Sequence, residues 1–556
     1  MGKRERGVVM VLATVVVIVA AVLLLTWAAR HLQISEPLLL LAGGCLIGLT
    51  PAFDSVSFPS ELVLLLFLPA LLYWEALTTS LREIRSNLRS ITLQATGLVL
   101  VTAAAVAAVA HAMGFSWPVG FVLGAVLAPT DAVAVAAVAK GLPRRWLTML
   151  RAESLINDGT ALVLFAVAVD VAVEQHPFSL PGTTLRFVGS YAGGVAIGIA
   201  VAAVVVALRR RMREPVLQSA LSVLTPFAAF LPAELAHVSG VLAVVTCGLI
   251  LSQFGPRVIG SAARLQAVSF WEVTSFVLNG ALFVMIGMQL PGAVRGLSSI
   301  SLPRAVGIAG AVSAIVIGTR MAWFYTIPHL VRLLDRRPQQ RLRRISARHR
   351  LPLAWAGMRG AVSLAAALAV PTTMANGLPL AYRDAIVFIT VVVIVVTFVA
   401  LGQPLPAVLR WARLPADTAE PAEEEMALRR IAEAALEALP RQAARLDVPE
   451  PEVAAISAEL RAQADDTSNN ALAERARLRK VELQHALLSV KRTALVRLRD
   501  ERRIDDIVLR RIQELLDVEE VRLQEESAHA VAAAEGERRT SDRMPDDDAD
   551  SSENSS

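Results

Sequence analysis

The segment Arg151-Ala-Glu-Ser-Leu-Ile-Asn-Asp-Gly-Thr160 places Glu153, Ser154, Asn157 and Asp158 at the head of an apolar run, Ala161 to Val169, that reads as membrane-spanning. A charge inside a bilayer costs about 2.5–3.5 kcal/mol on insertion scales and more than about 10 in simulations, so it is rarely kept without a role. On a helix, Glu153 and Asn157 stand four residues apart, as do Ser154 and Asp158, so two adjacent polar stripes form at one depth. Hydroxyl, carbonyl and carboxylate oxygens suit a hard cation stripped of its water. Burial also penalises the charged form of an acid. The chemistry within reach of such a site is therefore reversible occupation of one carboxylate by a proton or by a cation.

Two interrupted apolar stretches have to hold these groups. Residues 117–139 contain Pro129-Thr130-Asp131, where the proline removes a helix donor and a hydroxyl and a carboxylate follow at once. Residues 351–371 contain Gly357-Met-Arg-Gly360, two glycines flanking the buried cation Arg359. Backbone freed at such breaks is tolerated in a membrane only where protein covers it or a polar cavity meets it. Paired interruptions in corresponding halves point to inverted repeats with a site at the midplane.

The elements around them follow from composition. The chain has 556 residues, 55% hydrophobic and 19% charged, with the apolar residues in blocks of about 20, the helix length that crosses a bilayer. Thirteen blocks are read as spans: 8–28, 36–50, 60–77, 91–113, 117–139, 147–173, 188–208, 216–236, 238–253, 269–290, 304–327, 351–371 and 384–409. Block length and the lack of period-two alternation exclude a membrane barrel. The fold class expected is an all-α polytopic membrane protein. Ala, Gly, Val and Leu dominate the blocks, which favours close helix packing. The first block also resembles a signal sequence, but its length and the lack of a small-x-small cleavage site make it a span.

Loop charge sets the expected orientation. The loops after blocks 3, 5, 7, 9 and 11 hold most of the basic residues, including Arg209–Arg211 and the run Arg341 to Arg350. The opposite loops hold only Arg186, Arg295, Arg304 and Arg383. The first set is expected in the cytoplasm, together with the C-terminal tail; the basic start, Met1 to Arg6, opposes this pattern. The net charge of +5 thus reports topology and not a nucleic-acid partner. Cys45 and Cys247 lie in apolar blocks, and no Cys/His spacing suggests a metal centre. No cofactor is expected.

Residues 1–411 form the expected membrane domain. From 412 to 539 the sequence turns Glu/Arg/Ala-rich and helical, with Pro440, Pro449 and Pro451 dividing its first helices. Ile504, Val508, Ile512 and Leu515 mark one apolar face that needs a partner. Residues 540–556, acidic and Ser-rich, are expected to be disordered.

Five segments in order, Phe67 to Glu75, Pro129 to Val135, Glu153 to Gly159, Phe270 to Gly287 and Trp355 to Ala361, resemble the cation/proton antiporters of the sodium/hydrogen exchanger type, particularly the electroneutral bacterial and archaeal branch. The chain differs from many members in having Ala132 directly after Asp131 and its proline at 129. The resemblance implies exchange of Na+, Li+ or K+ for H+ by competition at Asp158. It implies cation oxygens from Thr130 and Ser154 and an ion pair between Glu153 and Arg359. Asn157 stands where electrogenic relatives have a second acid, which implies one-for-one exchange. The implied fold has about thirteen membrane helices with two crossed broken ones, in a core that moves against a dimerisation domain, and so a homodimer in the lipid of the cell membrane.

The residues themselves leave choices open. Asp131 either touches the ion or caps the broken helix. Thr130 and Ser154 either bind the ion or bond back to their own helices. Glu153 and Arg359 either form a structural pair or meet substrate. Glu75, Asp170, Glu234, Glu272 and Arg320 are read as lying near block ends, where snorkelling accounts for them. Against a cation/proton exchanger stand a K+-selective variant of the same machine and a membrane anchor for a signalling tail; an anchor needs no buried ionisable groups. An enzyme reading finds no nucleophile-base set or phosphate loop to rest on.

Overall fold

The computed structural model describes residues 3–32, 34–51, 63–79, 81–86, 88–139, 142–174, 180–334, 346–414 and 419–465, with isolated positions between 484 and 520. The chain divides into two compact units, Met1–Asp417 and Thr418–Ser556.

In the first unit the apolar blocks are helical over most of their described residues, apart from breaks such as 128–131 and 356–360. Hydrocarbon offers no partner to a bare amide or carbonyl, and a helix satisfies both within itself. By length and composition eight of the described helices can cross a bilayer, nine if the bent pair Trp117–Leu127 and Ala132–Val138 counts as one. The other blocks form shorter pieces: Glu36–Gly48, Leu65–Thr78 and Gly240–Gly255 are apolar helices below spanning length. The block at 351–371 is two short helices, Ala347–Trp355 and Ala361–Leu368. The unit is an all-α, multi-pass membrane fold, whose described residues show only one isolated strand bridge, Thr373 to Pro379. Leu24, Val204, Leu231 and Val306 are all more than half exposed on its outer surface, as helices facing lipid acyl chains require.

Packing inside depends on small residues. A Cβ on Gly44 would fall 2.1 Å from the Val284 carbonyl oxygen, and one on Gly287 would fall 2.1 Å from that of Leu41. The helices Glu36–Gly48 and Ser261–Arg295 therefore touch backbone to backbone, the contact that close membrane-helix packing exploits. The first helix, Lys3–Leu32, lies against the same pair, with Val22 fully buried and Thr26 donating to Glu36 Oε1 at 3.0 Å.

The two broken helices meet near the middle of the unit. The first bends by 43° between Leu127 and Ala132. The second opens over Ala356 to Gly360. Beside both runs the long helix Arg144–Glu174, continuous through the polar segment.

In the second unit the helices Ala419–Leu446 and Glu450–Asp465 pack on each other. The first runs on past Pro440, which costs a backbone hydrogen bond without ending the helix as the sequence suggested. It ends instead at Asp447, in the left-handed region at φ 52°, where the Val448 amide closes onto the Ala443 carbonyl at 3.1 Å. Of the apolar stripe only Ile512 is described, as half-buried; Ile504, Val508, Leu515 and residues 540–556 lie outside the described residues.

Candidate functional site

The two polar stripes of the helix Arg144–Glu174 face different neighbours. Ser154 and Asp158 line a cavity of about 50 Å³, together with Thr130 and Asp131 from the first break and Gly360 and Ser363 from the second. Glu153 turns instead to Arg320, and Asn157 to the side of Thr130. All four side chains are at least nine-tenths buried.

Thr130 and Ser154 do not bond back to their own helices. The Ser154 hydroxyl donates to the Thr130 carbonyl at 2.8 Å and accepts from the Ala132 amide at 3.4 Å. The Asn157 amide donates to the Thr130 hydroxyl at 2.7 Å. The continuous helix thus holds the broken one by side chains one turn apart, on both the backbone and the side chain of a single threonine. Asp131 caps the second half of the broken helix, its Oδ1 accepting from the Ala134 amide at 3.0 Å, and it also borders the cavity. The capping alternative is therefore realised, by a residue that also faces the cavity.

The breaks also satisfy each other. The Asp131 amide donates to the Met358 carbonyl at 2.9 Å, and Arg359 Nε donates to the Leu127 carbonyl at 3.0 Å. A second Arg359 nitrogen donates to the Gly357 carbonyl, while the Arg359 amide donates to Thr397 Oγ1 at 3.2 Å. Gly360 is required here, because a Cβ would sit 1.8 Å from Asp131 Oδ2.

The ion pair expected between Glu153 and Arg359 is not formed. Glu153 Oε1 pairs with Arg320 Nη1 at 2.7 Å, with both side chains 2% exposed. Arg320 Nη2 also donates to the Leu353 carbonyl at 3.1 Å, and the guanidinium lies 5.0 Å from the Phe324 ring. Arg359 spends its donors on carbonyls, including that of Leu127 at the end of a helix half, where the dipole favours a cation. Arg320 was misplaced near a block end because its helix runs on to Leu334, roughly four turns further.

Glu75 was likewise misjudged. It lines the cavity, and its Oε1 has no hydrogen-bond partner among the described residues. The rule applied to Asp158, that an acid in an apolar block marks a site, would have found it. Asn279, also at the cavity, carries no such signal in the sequence. Asp158 makes no hydrogen bond or ion pair among the described residues, although it is 4% exposed. Among those residues no three His, Cys, Asp or Glu side chains converge as a metal-ion site. A cation here would therefore draw on hydroxyl and carbonyl oxygens as well as carboxylate, the donor set of a weakly held, exchangeable ion.

Residues 17–411 match the model of the family "Sodium/hydrogen exchanger, transmembrane". The chain belongs to the sodium/hydrogen exchanger family. The exchanger is 47% identical over 529 residues to an uncharacterized Na+/H+ exchanger of Mycobacterium tuberculosis, spanning 93% of this chain and 97% of that one. It is 30% identical over 399 residues to the low-affinity Na+/H+ antiporter NhaS1 of Synechocystis, 69% of this chain and 73% of that one. Its fold is similar to the sodium proton antiporter MjNhaP1 from Methanocaldococcus jannaschii, with a TM-score of 0.58 at 17% identity over 73% of this chain and all of that one. The exchanger is accordingly a cation/proton transporter and not a catalyst of covalent chemistry.

The observed pairing makes a double-mutant test. Glu153→Gln and Arg320→Gln should each lower stability by about 3–5 kcal/mol, since each leaves a buried charge unpaired. The double variant should lose less than the sum. Thermal unfolding of the purified protein checks this, and strict additivity, or coupling of Glu153 to Arg359 alone, would contradict the pairing.

Proposed function

We propose that the exchanger moves Na+, and Li+ or K+ with it, against H+ by competition at Asp158, with Thr130, Ser154 and Asp131 contributing oxygens. The observation that carries this reading is that Asp158, deep in the fold and in a cavity bordered by both helix breaks, holds no partner among the described residues. The two nearby arginines are already engaged, Arg320 by Glu153 and Arg359 by backbone carbonyls, so neither is claimed by Asp158. The names of relatives, a sodium, potassium, lithium and rubidium/H+ antiporter of Bacillus subtilis among them, favour monovalent cations without choosing one. Alternating access then needs one condition: the site reorients only when a proton or a cation neutralises Asp158. K+ as the main substrate keeps the same site and is distinguished by measuring each ion separately.

Asp158→Asn should abolish exchange while leaving the protein folded, because an amide keeps the shape but can neither release a proton nor offer a full charge. Ion-driven pH change in proteoliposomes of correctly assembled variant decides it; activity above about a tenth of wild type, a loss of only about 1.4 kcal/mol in barrier terms, would sink the assignment. In the wild type the apparent KM for Na+ should rise as pH falls, as competition requires.

Exchange is also inferred to be electroneutral. Asn157 is neutral and Glu153 is neutralised by Arg320, so the polar helix carries one uncompensated acid to the cavity. Na+-driven proton movement should not respond to an imposed membrane potential. A rate that follows the potential overturns this stoichiometry.

The tail is assigned a regulatory and not a transporting part, since every candidate ion ligand precedes residue 400. A chain ending near residue 417 should still exchange ions, with a displaced pH profile. Normal insertion with no exchange would place the tail in the mechanism.

A further inference from the structure

A second cavity, about 470 Å³, lies away from the exchange site where the helices Leu180–Arg211 and Gly240–Val258 end and Pro215–Leu235 and Ser261–Arg295 begin. Arg209, Arg210, Arg213 and Arg257 line it, and no carboxylate does. The neighbouring acid, Glu214, makes no ion pair among the described residues and stays outside the lining. Four guanidinium groups around one space repel one another, and among the described residues no carboxylate forms an ion pair with them.

Arg209 makes this more than a basic surface. It is 3% exposed, and its Nε is buried with no hydrogen-bond acceptor among the described residues. Burying an unpaired charge costs several kcal/mol, so such a group is kept where something completes it. The pocket wall is also built and not loose. Gln218, itself buried, donates to the Met212 carbonyl at 2.7 Å and accepts from the Gly260 amide at 3.3 Å, tying the loop after one helix to the start of another.

We propose that this arginine pocket binds a phosphate group. The planar guanidinium fork matches phosphate oxygens two at a time, which a chloride or a carboxylate surface would use less fully. Leu208, Val216, Leu217 and Leu265 flank the basic cluster with exposed apolar surface, the setting of a phospholipid whose headgroup enters the pocket while its chains lie along the helices. A free phosphate would use the same guanidinium contacts without that surface.

The test uses the full-length protein purified in neutral detergent, followed by thermal unfolding against short-chain phosphatidylglycerol, phosphatidylcholine or inorganic phosphate. Wild type should be stabilised saturably by the anionic lipid and not by the zwitterionic one. In Arg210→Gln/Arg213→Gln, which alters two exposed side chains, the half-saturating concentration should rise by at least about tenfold, one charge-assisted contact's worth. Arg186→Gln, which removes a positive charge elsewhere, should leave it unchanged. Exchange by the double variant in phosphatidylcholine vesicles should equal wild type, showing that it is folded. Stabilisation by phosphatidylglycerol alone identifies a lipid headgroup, and an equal response to inorganic phosphate identifies the free anion. No anion response in wild type, or the same response in wild type and double variant, overturns the proposal.

Discussion

Everything at the candidate exchange site depends on one constraint: a helix that breaks inside hydrocarbon must find new partners for its backbone, at several kcal/mol for each group left bare. Here two breaks find each other. The Asp131 amide reaches the Met358 carbonyl, and Arg359 reaches back to the Leu127 carbonyl. Close approach is possible because Gly360 has no side chain to strike the Asp131 carboxylate. The same crossing fixes where the Thr130 carbonyl and hydroxyl point, and these are the atoms that Ser154 and Asn157 grip.

Buried charge is then distributed so that the arginines are engaged away from the acids that line the cavity, Asp158 and Glu75 among them. Glu153 and Arg320 neutralise each other, and Arg320 extends the link to the Leu353 carbonyl on the second broken helix. A buried pair of this kind adds little net stability over an apolar replacement, but losing one partner is severe. Its use is to hold three segments in register while adding no net charge. Arg359 spreads its charge over carbonyls at helix ends, where the peptide dipoles already point the right way. Asp158 receives none of these cations. An acid that a fixed arginine had claimed would have no reason to trade a proton for a cation.

The sequence carried most of this and missed particular things. Hydropathy located the long helices of the membrane unit, and the spacing of four between Ser154 and Asp158 and between Glu153 and Asn157 marked the helix segment that borders the cavity. Pro129 and the glycines at 357 and 360 located the breaks. The stripes could not say which one faces a cavity, because periodicity gives angular position on one helix and not the identity of its neighbours. For the same reason the partner of Glu153 was not legible: Arg320 and Arg359 both lie far away in sequence, and only the register of the helix Leu302–Leu334 decides between them. Closeness to a block end is a poor guide for Glu75, because that end of its helix borders the cavity.

Asn157 joins the architecture to the proposed stoichiometry. Its Nδ2 donates to the Thr130 hydroxyl, a bond that an ionised aspartate could not make, since a carboxylate only accepts. With an acid at this position, either Thr130 would have to reverse its hydroxyl and become the donor, or the acid would have to carry a proton. Either change alters the oxygen that Thr130 presents to the cavity. The residue that removes the second charge from the helix is thus also the one that orients a candidate ligand. On the proposed stoichiometry, a change of coupling ratio made at residue 157 is therefore a change of binding geometry as well, because the same side chain holds the Thr130 hydroxyl.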